Sequence, residues 1–324
     1  MKAMVCEAFG GPQVLALRDL PDPPPPGPGE IQVRIGARGV QYVDVLILAG
    51  KYQFRPEPPF VPGSEAAGVV AAVGPGVADF QVGDRVMSRH SLGACAELGN
   101  AKAALCEKIP DGMSIEHAGV FRAAYGTAYH ALLQRGRMVA GEWVLVHGAA
   151  GGIGIAAIQV AKVFGAKVIA TASTEAKRAA CLEEGADHAI DYQSGFVDKV
   201  KEFTGGRGVD IAYDPIGDKV GDESLRCLAW GGRLLILGFL GGGPTNIRSN
   251  YLLIKGIAAV GVRIGGLNEA NPALAIANMK TLMELAAQGM LKPRISHRFP
   301  LDKAAEALQA VIDRTVIGKA VLVS

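Results

Sequence analysis

Paired cysteines, long apolar runs and an excess of either charge are all missing from this chain of 324 residues. Its five cysteines, Cys6, Cys95, Cys106, Cys181 and Cys227, are odd in number, widely spaced and nowhere at C-x-x-C spacing. That fits neither a disulfide framework nor a zinc knuckle and points to a reducing compartment. No stretch of about 20 residues is apolar enough to span a bilayer. The N-terminal segment meets acidic Glu7 and then Gly10-Gly11-Pro12 before any apolar run reaches signal-peptide length, so the cytoplasm is the expected location. The 33 basic and 31 acidic side chains leave a net charge of +2. They are scattered, with no basic tract, so nucleic acid is not an expected partner and neither is a membrane.

What is present is the composition of a folded globular enzyme, 49% apolar and 20% charged. The length predicts two domains. The first third reads as short strands broken by turns, at 5–9, 15–20 and 31–37, with a proline-rich surface turn at 21–29. Glycine punctuation keeps it β-rich to about Pro110. From Trp143 the pattern changes to strand, glycine, helix, glycine, strand: 143–147, 151–164, 167–171, 175–184, 209–213, 233–237 and 257–262. Strands alternating with helices predict a parallel, doubly wound sheet. Helices at 272–288 and 302–312 and strands at 295–299 and 319–323 close the chain. They either extend that sheet or return to complete the first domain, and periodicity does not choose between the two.

Between the strand at 143–147 and the helix stands Ala149-Ala150-Gly151-Gly152-Ile153-Gly154, the dinucleotide fingerprint with alanine in place of its first glycine. Gly151 lets the backbone approach a pyrophosphate, Gly154 lets the helix pack on the strand, and the amides at the helix start face the anion. Roughly 20 residues on, where an NAD site carries an acidic residue, the chain reads Ala170-Thr171-Ala172-Ser173-Thr174. No carboxylate stands there to repel a 2′-phosphate. Ser173 can donate a hydrogen bond and Lys177, one turn on, can pair with a phosphate, so NADPH is the expected cofactor. The plainer reading is that Ser173 caps the helix and Lys177 lies on its solvated face.

Several motifs in order resemble the medium-chain dehydrogenase/reductase superfamily, in particular its zinc-free quinone oxidoreductase branch, which includes ζ-crystallin. They are Gly39-Val40-Gln41-Tyr42-Val43-Asp44, Pro62-Gly63-Ser64-Glu65-Ala66-Ala67-Gly68, Val82-Gly83-Asp84-Arg85-Val86, Thr127-Ala128-Tyr129, the phosphate loop, Gly205-Gly206-Arg207-Gly208-Val209-Asp210 and Gly318-Lys319. The resemblance covers essentially the whole chain. It implies an α/β fold: a GroES-like catalytic domain from both chain ends, residues 1–123 and 263–324, around a Rossmann NADPH-binding domain at 124–262. Zinc-dependent relatives carry cysteine where Gln41 stands and histidine where Ser64 stands, so no metal is expected. By motif position, the NADPH-lining residues are Gln41, Thr127, Ala150, Gly151, Gly152, Ile153, Ser173, Lys177, Tyr192, Ile216, Gly238, Phe239, Leu240 and Arg314. Of these, Ser173, Lys177, Tyr192 and Arg314 resemble the 2′-phosphate contacts. The family has asparagine where this chain has Gln41, which moves the amide outward by one methylene.

The resemblance further implies a zinc-independent hydride transfer from NADPH to a quinone, with Gln41 and Tyr52 as the candidate catalytic residues. Both would orient the acceptor oxygen, and neither is needed as an acid because a quinone's oxyanion can take its proton from water. An NADPH-dependent enone or enoyl reductase is the alternative, in which a placed proton donor matters more. A second alternative is a crystallin-like or RNA-binding protein that retains NADPH binding. Arg263, near the expected domain junction, is either a guide for an anionic acceptor or a solvated charge. A homodimer through Rossmann edge strands, with 257–262 as the candidate edge, is the expected assembly.

Overall fold

The computed structural model describes all 324 residues. They form two compact units, Met1–Ala123 with Met283–Ser324, and Ala124–Leu282. The strands in chain order are β1 (Lys2–Cys6), β2 (Leu15–Asp19), β3 (Glu30–Val40), β4 (Glu65–Val73), β5 (Arg85–Arg89), β6 (Leu98–Lys102), β7 (Cys106–Lys108), β8 (Trp143–Val146), β9 (Lys167–Thr171), β10 (His188–Ile190), β11 (Val209–Asp214), β12 (Leu228–Ile236), β13 (Ala258–Gly261), β14 (Ile295–Pro300) and β15 (Lys319–Val323).

In the first unit a seven-stranded sheet runs β14-β15-β3-β4-β5-β7, with β6 also paired to β3. Alternation builds it: Ile31, Val33, Ile35 and Ala37 of β3 are all buried, while Arg34 between them is exposed. The C-terminal strand β15 lies antiparallel to β3, with Ala320 opposite Val40, so the chain end returns to complete this domain. The first strand expected at 5–9 lies instead at Lys2–Cys6, because the chain turns after Cys6, where the thiol donates to Ala8 O at 3.2 Å. Within the segment read as strands, Tyr42–Leu48 is a helix, α1. Its Ile47 and Leu48 enter the core cluster of Cys6, Phe60, Leu301 and Leu308.

In the second unit six parallel strands run β10-β9-β8-β11-β12-β13. Strand β8, first in the chain, lies in the middle, and the winding reverses between β8 and β11. Val144, Leu145 and Val146 are fully buried, as a strand covered on both faces requires. This is the doubly wound Rossmann sheet, whose ligand crevice lies beyond the carboxyl ends of the strands at that reversal. The segment 263–282, expected in the first domain, belongs here. Its Asn278 is buried and accepts from Gln134 Nε2 at 2.7 Å, and its Met279 is buried against the Gly126 backbone.

Candidate active site

At the carboxyl end of β8 the chain turns through Gly148, φ +57°, into helix α2 (Gly152–Val163). Gly151 is its N-cap and no side chain caps it, which leaves the first-turn amides to a ligand. A Cβ at residue 154 would stand 2.5 Å from the carbonyl oxygens of Gly148 and Ala149, so only glycine lets the helix approach the strand this closely. Ala150 is buried under the turn, while Gly151, Gly152 and Ile153 are partly open. The Ala149 amide donates to Thr171 O at 3.2 Å and ties this loop to the end of β9.

After β9 comes helix α3 (Glu175–Glu183). Its cap is Thr174, whose hydroxyl accepts from the Lys177 amide at 3.3 Å, and not Ser173. The Ser173 hydroxyl is thereby left to a ligand. Arg178, which sequence reasoning missed, donates to Ala172 O and pairs with Asp191, both at 3.3 Å. A second cation therefore stands beside Lys177 at this corner. Tyr192 follows β10 in a short 3-10 turn, half-buried against the core of the unit.

At the last residue of β11, Asp214 is fully buried and its Oδ1 accepts from the amides of Ile216 at 2.8 Å and Gly217 at 3.0 Å. Burial pushes the pKa of this carboxyl up, and the two amides oppose that. The Leu240 amide donates to Pro215 O at 3.1 Å, which draws Gly238, Phe239 and Leu240 after β12 to the same end of the sheet. Phe239 is 52% exposed. His147 lies buried between Thr171 and Ser224. Ser224 donates to Val220 O at 2.6 Å, so it must accept from His147 Nε2 at 2.8 Å, and Thr171 donates to Nδ1 at 3.0 Å. Burial pushes this imidazole down to about 3 and keeps it neutral, a structural peg under the loop. Thr127 lies in the Arg122–Tyr129 helix and is partly exposed.

Gln41, Tyr52 and Arg314 belong to the first unit. Gln41 precedes α1, and its Nε2 is buried with no hydrogen-bond partner. Its backbone N–H donates to Asp44 Oδ2 at 2.9 Å. Asp44 was not among the expected site residues. Its position three residues after Gln41, as in a capping box, was the signal available. Burial raises it to about 7, opposed by the Gln41 amide and Lys319 and reinforced by Glu65. Glu65 and Lys319 form a buried pair at 3.3 Å, and Glu65 Oε2 also accepts from the Ala123 amide at 2.8 Å. The Tyr52 ring packs on the core cluster beneath it. Arg314 follows the Ala304–Ile312 helix at φ +57° and is exposed. Arg263, in the second unit, pairs with Glu269 at 2.6 Å on the surface, the solvated charge of the two readings.

Two family models match: the alcohol dehydrogenase GroES-like domain over residues 27–139 and the zinc-binding dehydrogenase over residues 152–282. The quinone oxidoreductase-like protein 2 of Mus musculus is 39% identical over 302 residues, 93% of this chain and 86% of the relative. The quinone oxidoreductase of Homo sapiens is 34% identical over 325 residues, 99% of this chain and 97% of the relative. The crystal structure of Escherichia coli quinone oxidoreductase complexed with NADPH aligns over 100% of both chains, with a TM-score of 0.92 and 31% identity. The chain belongs to the quinone oxidoreductase branch of the medium-chain dehydrogenase/reductase superfamily.

Membership in this family leaves the metal question to the donor atoms. Glutamine and serine stand at residues 41 and 64, and no three histidine, cysteine, aspartate or glutamate side chains converge anywhere in the structure. These residues do not fit a zinc ion, which takes thiolate, imidazole or carboxylate ligands. No helix is long and apolar enough to cross a membrane.

Proposed function

We propose that this oxidoreductase binds NADPH in the second unit and reduces a quinone without a metal. The observation that carries the cofactor reading is the uncapped start of α2 at Gly151, with Ser173, Lys177 and no carboxylate at the end of β9. The amides of Gly152 and Ile153 would take the pyrophosphate, and Ser173, Lys177 and Tyr192 the 2′-phosphate, with Arg178 adding charge. Thr127, Ala150, Ile216, Gly238, Phe239 and Leu240 would line the rest of the cofactor. That the E. coli relative is complexed with NADPH supports this reading.

Bound NADPH supplies a hydride at C4 of its nicotinamide. Gln41 has a buried, unpartnered Nε2 and so retains a donor for a cofactor or acceptor oxygen, held in place by the Asp44 bond to its backbone. Tyr52, whose ring packs on the core cluster of the first unit, would orient the acceptor oxygen with Gln41. The names of the mouse and human relatives support the quinone as acceptor. Five free, buried thiols suit a reducing cytoplasm. Two copies would pair along β13, the edge of its sheet.

Initial rates of NADPH oxidation against a panel of quinones, enones and an enoyl thioester test this proposal. It expects turnover with quinones. Turnover confined to enones, or to the thioester, would replace it with the enoyl-reductase reading.

A further inference from the structure

The second unit holds a cavity of about 300 Å³ at the end of the sheet opposite the carboxyl-end loops. It lies where β11 and β12 begin, at Gly208 and Leu228. Four cations line it, Lys201, Arg207, Arg226 and Lys255, and no acidic side chain does. In a chain whose net charge is +2, that is a concentration of one sign in one concave place. Arg207 is committed to Asp210 through two bonds of 2.7 Å. Lys255 Nζ donates to the carbonyls of Leu225 at 2.9 Å and Arg226 at 3.2 Å, so its charge is fixed in the lining. Burial lowers the Lys255 ammonium below its ordinary value and Lys201 lowers it further, with Cys227 opposing. An anion would relieve that repulsion. Of the charges that act on the buried Cys227 thiol in the cavity wall, Lys255, Lys201 and Arg226 are cations and Glu223 is the acid.

The cavity also has an apolar side. Trp230 is 78% exposed and Ile254 70% exposed, and both line it. The indole lies across the Gly256 turn, where there is no side chain to hold it off. Large exposed apolar groups beside converging cations are the makings of a site for an anion that carries a ring.

We propose that this pocket binds a phosphate monoester bearing a planar ring, with the phosphate among Lys201, Arg226 and Lys255 and the ring against Trp230. A phosphate dianion offers three acceptor oxygens to three cations, which a single carboxylate does not. The volume is at the small end of ligand sites, about 300 to 1,000 Å³, and suits one ring with one phosphate. Because it lies at the far end of the strands from the proposed cofactor loops, both can be filled together.

The test is calorimetric titration of the full chain with phenyl phosphate, with and without saturating NADP⁺, and with inorganic phosphate and phenol as separate arms. One site is expected, unaffected by NADP⁺, with phenyl phosphate bound more tightly than either part. Arg226→Ala and Lys201→Ala should each weaken it by about tenfold, the loss of one charge-assisted hydrogen bond. Trp230→Ala should bring phenyl phosphate down to the affinity of inorganic phosphate. Arg226, Lys201 and Trp230 are all exposed, so unchanged melting temperatures are expected and serve as the folding control. Absence of binding, competition by NADP⁺, or an affinity indifferent to the three substitutions would each overturn the proposal.

Discussion

Asp44 Oδ2 accepts the backbone N–H of Gln41 at 2.9 Å, and this bond fixes the start of the one α-helix that interrupts the β-rich N-terminal segment. It links a buried carboxyl, raised by its burial to about 7, to the residue proposed to orient the acceptor. The unfolded chain releases the Asp44 proton near 3.8 and the folded chain near 7. Between those values the folded form holds the extra proton, so the stability Asp44 contributes falls as pH rises through that window.

Asp44→Asn removes this titration. The melting temperature of the wild type should drop by a few degrees more than that of the variant between about pH 5 and about pH 8. Parallel melting curves over that range would show that Asp44 does not titrate there.

Ser173→Asp places a carboxylate where the chain now has none. NADPH affinity should fall by about 10- to 100-fold, roughly 1.4 to 2.8 kcal/mol, while NADH affinity holds or improves. Paired calorimetric titrations measure both, and an equal loss for the two cofactors would remove Ser173 from the 2′-phosphate site.

Gly154→Val brings a Cβ to 2.5 Å from two backbone carbonyls, which no rotamer change can relieve. It should cost about 1–3 kcal/mol of stability and abolish NADPH binding. A variant that melts like the wild type and binds NADPH normally would contradict the assigned role of that glycine.

Tyr52→Phe keeps the ring on its core cluster and removes only the hydroxyl. Quinone turnover should fall by less than about tenfold, well short of the 100-fold or more that a general acid contributes, with NADPH affinity unchanged. Abolished turnover at unchanged affinity would make Tyr52 the proton donor.

The second unit was the more legible in sequence because each of its signals is local. A buried run at 143–146, glycines at 151, 152 and 154 and the missing acid after 171 all read without knowing what lies across the sheet. Tyr42–Leu48 did not, because Tyr-Val-Asp-Val-Leu-Ile-Leu has strand composition and only tertiary packing of Ile47 and Leu48 selects the helix. Ser173 and Thr174 are adjacent hydroxyls, and backbone geometry alone makes the second one the cap. The placement of 263–282 turned on Asn278 and Met279, whose partners lie more than 140 residues earlier, at Gln134 and Gly126. The cations of the far pocket stand at 201, 207, 226 and 255 and leave no linear trace.

Hydride transfer from NADPH to a quinone is the central claim. It is tested most directly by quinone reduction after exhaustive chelation, with NADPH deuterated at the transferred C4 position compared with ordinary NADPH. Undiminished turnover that slows with the deuterated cofactor, with the deuterium lost from the nicotinamide, is the predicted result. Loss of turnover on chelation that zinc restores, or no quinone reduction at all beside rapid enone reduction, would contradict it.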